Sequence, residues 1–299
     1  MLLPLLLACA PLRHPVEVWA PPVGTHETAA DPWAAVLARP PVILLETLID
    51  AHWSVAAKGL LNLEDPKTAS APSGNIDILI LAHLIRHPTA GTFLVDTGIA
   101  ADAKGRVADT HGLVRGALHP TEVRDIGDEL AARKVDLAGV FFTHLHLDHV
   151  FGLPDIGANV PLTIGPDEQE YHGAVPGLLR TFFRRRYAGR PAFRELDRAA
   201  AVPMAPFERA WDIFGDGSFW ALHMDGHTPG SLAFLVNAVG GPVLLTGDTC
   251  HTKWGWDNEV EPGTFTNDHP GNKTSLHALK VFAAAHPEVK VVLGHQLTE

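Results

Sequence analysis

The chain is 299 residues long, 46% hydrophobic, with a formal net charge of −11, two cysteines and 18 histidines. That length and apolar content suffice for a substantial core, while the acidic balance repels phosphate backbones and argues against nucleic acid as a partner. Two cysteines, Cys9 and Cys250, exclude a disulfide framework and any Cys-rich zinc module; the abundance of histidine, the commonest metal ligand, points to a metal site instead.

In chain order, Met1 to Cys9 is apolar but far too short to span a bilayer. Its end, Leu6-Leu7-Ala8-Cys9, resembles a bacterial lipobox, although no basic segment precedes it. On that reading a lipidated Cys9 anchors the protein to a membrane, in the bacterial cell envelope or periplasm; without lipidation the protein is cytoplasmic. From Ala10 to Pro41 the chain is rich in Pro and Ala and has no sustained period. Residues 1–40 therefore read as a signal-like segment and tether, and residues 41–299 as a single domain.

Short apolar runs bounded by turn residues dominate the rest. Strands are expected at 76–85 and 92–95, the second ending at Asp96-Thr97-Gly98. A helix is expected over 122–134, with acidic residues early and Arg133 and Lys134 late, as the helix dipole prefers. Strands follow at 139–142 and 160–164, then a helix beginning near Pro166. The segment 177–194 mixes Arg180, Arg184, Arg185, Arg186 and Arg190 with Phe182, Phe183 and Tyr187. Three strands at 219–223, 231–236 and 242–246, a helix near 275–285 and a strand at 289–293 complete a layered α/β pattern.

The 139–142 strand runs directly into Thr143-His144-Leu145-His146-Leu147-Asp148-His149. Residues two apart on extended chain face the same side, so His144 and His146 can address one ion. If a helix begins there, Asp148 and His149 project elsewhere and can serve a second ion, with Asp148 favoured at the helix N-terminus. A merely polar, His-rich loop is the alternative. Three further residues stand at strand ends: His227 in Gly226-His227-Thr228-Pro229-Gly230-Ser231, Asp248 in Thr246-Gly247-Asp248, and His295 after Gly294. Singly each is weak; together they supply two nitrogen sets and a carboxylate able to bridge two metals.

With these motifs in this order, and with Asp96-Thr97-Gly98 ahead of them, residues 76–296 resemble the metallo-β-lactamase fold superfamily and its H-x-H-x-D-H signature. The resemblance implies an αββα sandwich with the site at one edge, where the two sheets meet. It implies that His144, His146 and His227 bind a first metal, that Asp148, His149 and His295 bind a second, and that Asp248 bridges them. Asp96 would support a ligand, a turn-forming aspartate being the alternative. Two divalent ions, zinc by expectation, would hold a hydroxide that attacks a carbonyl or phosphoryl centre. Asp148 would steer it, and His251 is the candidate proton donor or substrate contact unless it is an exposed loop histidine.

Asp248 stands where a β-lactamase of the first subclass has cysteine, and Cys250 does not align with that position. The layout is similar to the quorum-quenching lactonases, except that His251 stands where they typically have tyrosine. The resulting expectation is a hydrolase of a small ester, lactone or thioester, with a small molecule as partner. A phosphodiesterase is one alternative, suggested by arginines that could grip an anion between Arg180 and Arg190. A non-catalytic metal- or ligand-binding envelope protein is the other. Trp254 and Trp256, beyond Asp248, either wall the pocket or fill the core.

Overall fold

The computed structural model describes residues 14–22, 24, 31–100, 120–170 and 187–298. Cys9, Arg180, Phe182, Phe183, Arg184, Arg185 and Arg186 lie outside the described residues.

Two sheets face each other. The first has seven strands in the order β1-β7-β6-β5-β4-β3-β2, comprising β1 (Val16–Trp19), β2 (Leu44–Ala56), β3 (Asn75–His87), β4 (Gly91–Val95), β5 (Leu137–Phe141), β6 (Leu162–Ile164) and β7 (Phe193–Leu196). The second has six in the order β13-β12-β11-β10-β9-β8: β8 (Val202–Met204), β9 (Phe207–Asp212), β10 (Phe219–His223), β11 (Leu232–Ala238), β12 (Gly241–Leu245) and β13 (Lys290–Val292).

The central strands are apolar on both faces because both faces are covered. In β11, Leu232, Phe234 and Val236 point into the layer between the sheets, where they meet Ile85, Val95 and Phe141; Ala233 and Leu235 point the other way. The period-two alternation thus feeds two cores from one strand. Burying each Leu or Phe side chain contributes roughly 1.5–3 kcal/mol. Outside the first sheet lies α3 (Ile126–Ala132), whose Ile126 and Leu130 pack on Leu84, Leu94 and Val140. Outside the second lie α1 (Pro32–Leu37) and α6 (His269–Ala285), whose Trp33, Leu279 and Phe282 pack on Trp220, Leu222 and Leu244. The αββα sandwich is therefore present.

Three expectations need correction. Residues 10–40 are not simply a tether. β1 pairs in parallel with β7 through Val16↔Phe193 to Trp19↔Leu196, and α1 buries Trp33, whose Nε1 donates to Ala205 O at 3.0 Å. Proline richness misled here: Pro32 opens α1, where its missing N–H costs nothing, and Asp31 caps it by accepting from Ala34 N at 3.0 Å. The helix expected near Pro166 is, within the described residues, a single 3₁₀ turn at Glu168–Glu170. The helix over 122–134 is shorter, Ile126–Ala132, because Asp125 caps it by accepting from Gly127 N at 2.6 Å. No helix among the described residues is long and apolar enough to cross a membrane.

One buried acid packs against the Asp96-Thr97-Gly98 turn. Asp50 sits at the bulge of β2, fully buried, packed on Gly98, and neither carboxylate oxygen has a hydrogen-bond partner. Burial pushes its pKa up to about 8. The folded state therefore holds a proton that the unfolded chain releases near pH 4. The stability this lends is full below that pH and is lost as pH rises toward about 8. Asp50→Asn should flatten that decline, gaining on the wild type by several kcal/mol, as an order of magnitude, between pH 5 and pH 9. Urea unfolding at the two pH values measures it, and parallel wild-type and variant profiles would refute the assignment.

Candidate metal centre

The motifs converge because the strands that precede them end at one edge of the sandwich. β5 delivers Thr143, His144 and His146, and α4 (Leu147–Val150) then turns Asp148 and His149 away from them. The turn before β11 carries His227, the end of β12 carries Asp248, and the end of β13 carries His295. Leu232 N donates to Thr143 O at 2.8 Å, tying the two sheets together beside the site. Gly294 allows the closure: a Cβ there would lie 2.3 Å from Asp248 Oδ1.

One group of donor atoms comprises His144, His146, His227 and Asp248; a second comprises Asp148, His149 and His295; and Asp248 and His295 form a third with His251. Asp248 faces both. Its Oδ2 lies 3.6 Å from His144 Nε2 and 3.5 Å from His227 Nε2, and 3.3 Å from His295 Nε2; its Oδ1 lies 3.4 Å from His149 Nε2. His295 Nε2 is also 3.5 Å from Asp148 Oδ2. These separations are long for hydrogen bonds, but ligands held about 2.0–2.1 Å from a tetrahedral ion stand about 3.4 Å apart.

Buried His144 Nε2, His149 Nε2 and Asp248 Oδ1 have no hydrogen-bond partner, a costly arrangement unless something else satisfies them. His146 Nδ1 and His227 Nε2 face each other at 3.0 Å. The donor set therefore fits two divalent ions, with Asp248 shared.

The opposite ring nitrogens are held from behind. His149 Nδ1 donates to Asp96 Oδ2 at 2.8 Å, and His295 Nδ1 donates to Leu79 O at 2.8 Å. A carboxylate and a carbonyl both accept, so both rings donate from Nδ1 and turn Nε2 inward. His227 Nδ1 meets Thr266 Oγ1 at 3.2 Å. Asp96 also accepts from Thr143 N and Thr143 Oγ1, each at 2.8 Å. Asp96 thus supports the site and is more than a turn former.

Burial pushes His146 down to about 4, and holds His144 and His227 well below their ordinary value, helped by neighbouring imidazoles. All three are neutral near pH 7, the form a metal requires. Burial opposes ionisation of Asp248, yet the surrounding His295, His251, His149 and His144 hold its carboxyl well below the usual range. Burial likewise opposes a charge on His149 and His295, but Asp248 raises both.

His251 is not an exposed loop histidine. It is buried, with Nε2 3.0 Å from Asp248 Oδ2 and its ring 5.1 Å from that of His295. Its Nδ1 is buried without a partner. Cys250 is buried beside it, donates to Thr252 O, and burial pushes its thiol up to about 12; it faces no ligand group.

Of the arginine segment, Arg190 donates to the carbonyls of Leu153, Ile156 and Gly157, so its guanidinium is committed to a turn. Trp256 packs against the outer core with Lys280 Nζ 5.1 Å above its ring, which settles it as a packing residue. Trp254 is half-buried.

One residue at the site was not foreseen. Glu168, buried in the turn after β6, accepts hydrogen bonds from Leu145 N, Thr228 Oγ1 and Gly230 N. Burial pushes its pKa up to about 7, against the pull of those donors. In sequence it looks like one more acidic residue opening a surface helix; only Pro166 before it, a turn signal, hinted otherwise.

A model of the metallo-beta-lactamase superfamily matches residues 77–295. The N-acyl homoserine lactonase AttM of Agrobacterium fabrum is 28% identical over 218 residues, covering 71% of this chain and 80% of that protein. The gamma-lactamase FDB1 of Fusarium pseudograminearum is 28% identical over 137 residues, 43% of this chain and 32% of that one. Among solved structures, a variant of AiiA from B. thuringiensis with N-decanoyl-L-homoserine bound at the active site superposes with a TM-score of 0.65 at 20% identity, over 86% of this chain and 94% of that chain. At that identity the likeness shows the shared fold.

Proposed function

The chain belongs to the metallo-beta-lactamase superfamily and is a metal-dependent hydrolase, and from that premise we propose that it opens a lactone or cleaves a small ester or thioester at a dinuclear zinc centre. The observation that carries this reading is the convergence of seven ligand residues on two points with Asp248 between them. The relatives that act on N-acyl homoserine lactones and on a gamma-lactam support a small cyclic acyl substrate.

When bound, two divalent ions would supply Lewis acidity toward the acyl oxygen and make water acidic enough to attack near neutral pH. The protein's own groups do the rest. His146 and Asp148 are the half-buried members of the ligand set, so substrate approaches on their side. Asp148, with one oxygen 3.5 Å from His295 Nε2, would orient the attacking water and accept its proton. His251, with Nε2 3.0 Å from Asp248 Oδ2, would hand a proton to the leaving oxygen. The neutral rings of His144, His146 and His227 are already in the form a metal requires.

The test is turnover by metal-loaded protein across lactones, aryl esters, thioesters, cephalosporins and phosphodiesters. Hydrolysis of the acyl substrates, with phosphodiesters untouched, is expected. A phosphodiester-only profile would overturn the substrate class, and silence across the panel would overturn the proposal altogether.

A further inference from the structure

Glu168 is 2% exposed and lies beneath the turn that carries His227. Its Oε1 accepts from Leu145 N at 2.7 Å, and its Oε2 accepts from Thr228 Oγ1 at 2.6 Å and Gly230 N at 3.1 Å. Leu145 lies between His144 and His146, while Thr228 and Gly230 directly follow His227. One carboxylate is therefore bonded to both segments that hold the three nitrogen ligands of the first ion. The packing leaves it little freedom: a Cβ on Gly230 would stand 2.6 Å from Glu168 Cβ, and one on Gly165 would stand 1.9 Å from Gly230 O.

The need for such a tie follows from the centre itself. His146 Nδ1 and His227 Nε2 stand 3.0 Å apart and come from segments 81 residues apart in the chain. Without an ion the two rings can share one N–H···N hydrogen bond, but with an ion between them both nitrogens present lone pairs, so their approach then needs support from outside the pair. The second ion's ligands are held differently, His149 by Asp96 and His295 by Leu79 O. We propose that Glu168 is a positioning residue that sets the geometry of the first ion, and not the second, by clamping the His144–His146 segment to the His227 turn; this rests on the dinuclear reading above.

The chemistry of the clamp identifies the informative variant. An ionised carboxylate offers acceptors on both oxygens, whereas glutamine offers one acceptor and one donor. Glu168→Gln can still take the bond from Leu145 N, but its amide N–H₂ then meets the N–H of Gly230. The full chain is titrated with zinc against a chromophoric chelator, and His227→Ala and His295→Ala proteins assign the two binding steps. Glu168→Gln should weaken the His227-dependent step by about 10–100-fold, the usual effect of losing a group that supports a ligand, and leave the His295-dependent step unchanged. Equal weakening of both steps would mean a general structural role and overturn the inference, as would two unaltered steps. If Glu168→Gln fails to fold, Thr228→Val removes a single donor to the same carboxylate and should weaken only the same step, to a smaller extent; no selective weakening overturns the inference here too. A wild type that binds one ion would overturn the dinuclear reading, and the Glu168 inference would then stand or fall on whether that single His227-dependent step weakens.

Discussion

An Asp248→Asn protein is expected to fold, to bind about one zinc in place of two, and to lose on the order of 10³-fold or more in kcat/KM; removing a single electrostatic stabiliser already costs about 10²–10³. Asp248 faces both groups, with oxygens 3.3 to 3.6 Å from His144, His149, His227 and His295. Asparagine keeps the size but loses the charge and one acceptor oxygen, so it cannot serve both ions. The buried histidines around it also lose their counter-charge, and the raised protonation of His149 and His295 that depends on Asp248 should fall back. Metal content by elemental analysis, circular dichroism for folding and steady-state kinetics decide the matter. A folded variant that keeps two ions and near wild-type turnover would remove Asp248 from the bridging role.

The second large effect concerns His251. General acid catalysis contributes typically about 10²–10⁴-fold, so His251→Phe should lower kcat for alkyl esters and lactones, whose leaving alkoxides need a proton, by roughly that factor. For an aryl ester or thioester with an acidic leaving group the loss should be much smaller, because that group departs without protonation. The dependence on leaving group separates proton delivery from an indirect role. His251 Nε2 is 3.0 Å from Asp248 Oδ2 and could act only by holding that carboxylate. In that case all substrates would suffer equally and zinc content would fall with activity, which would end the proton-donor assignment.

How much of this was legible in the sequence depends on how local each signal is. The His144 to His149 run is a local signal: extended chain puts i and i+2 on one side, and α4 rotates Asp148 and His149 away, so one segment presents donors in two directions. The apolar strands were also legible, because burial on both faces leaves continuous Val, Leu and Phe runs in β5, β11 and β12. β1 and α1 were hidden because their stability comes from partners more than 160 residues away, Phe193 to Leu196 for β1 and Ala205 for Trp33. Glu168 was hidden for the same reason, since its three donors come from residues 23 to 62 positions distant. His251 could be named from sequence, but whether it faced solvent or Asp248 turned on how the β12 end packs against Gly294.

The sequence by itself determined the type of chemistry, because ligand identity and strand-end spacing are properties of short segments: a carboxylate and imidazole set able to bind metal at one edge of a two-sheet sandwich. The tertiary structure decided everything that depends on what stands behind those ligands. It showed Asp96 and Leu79 O holding His149 and His295 from behind, Glu168 joining the His144–His146 segment to the turn of His227, and His251 buried against Asp248. It also committed Arg190 to backbone carbonyls and Trp256 to the core. The physical reason is that a hydrogen bond or a packed face takes its meaning from its partner, and here those partners are brought together only when β5, β11, β12 and β13 end at the same edge.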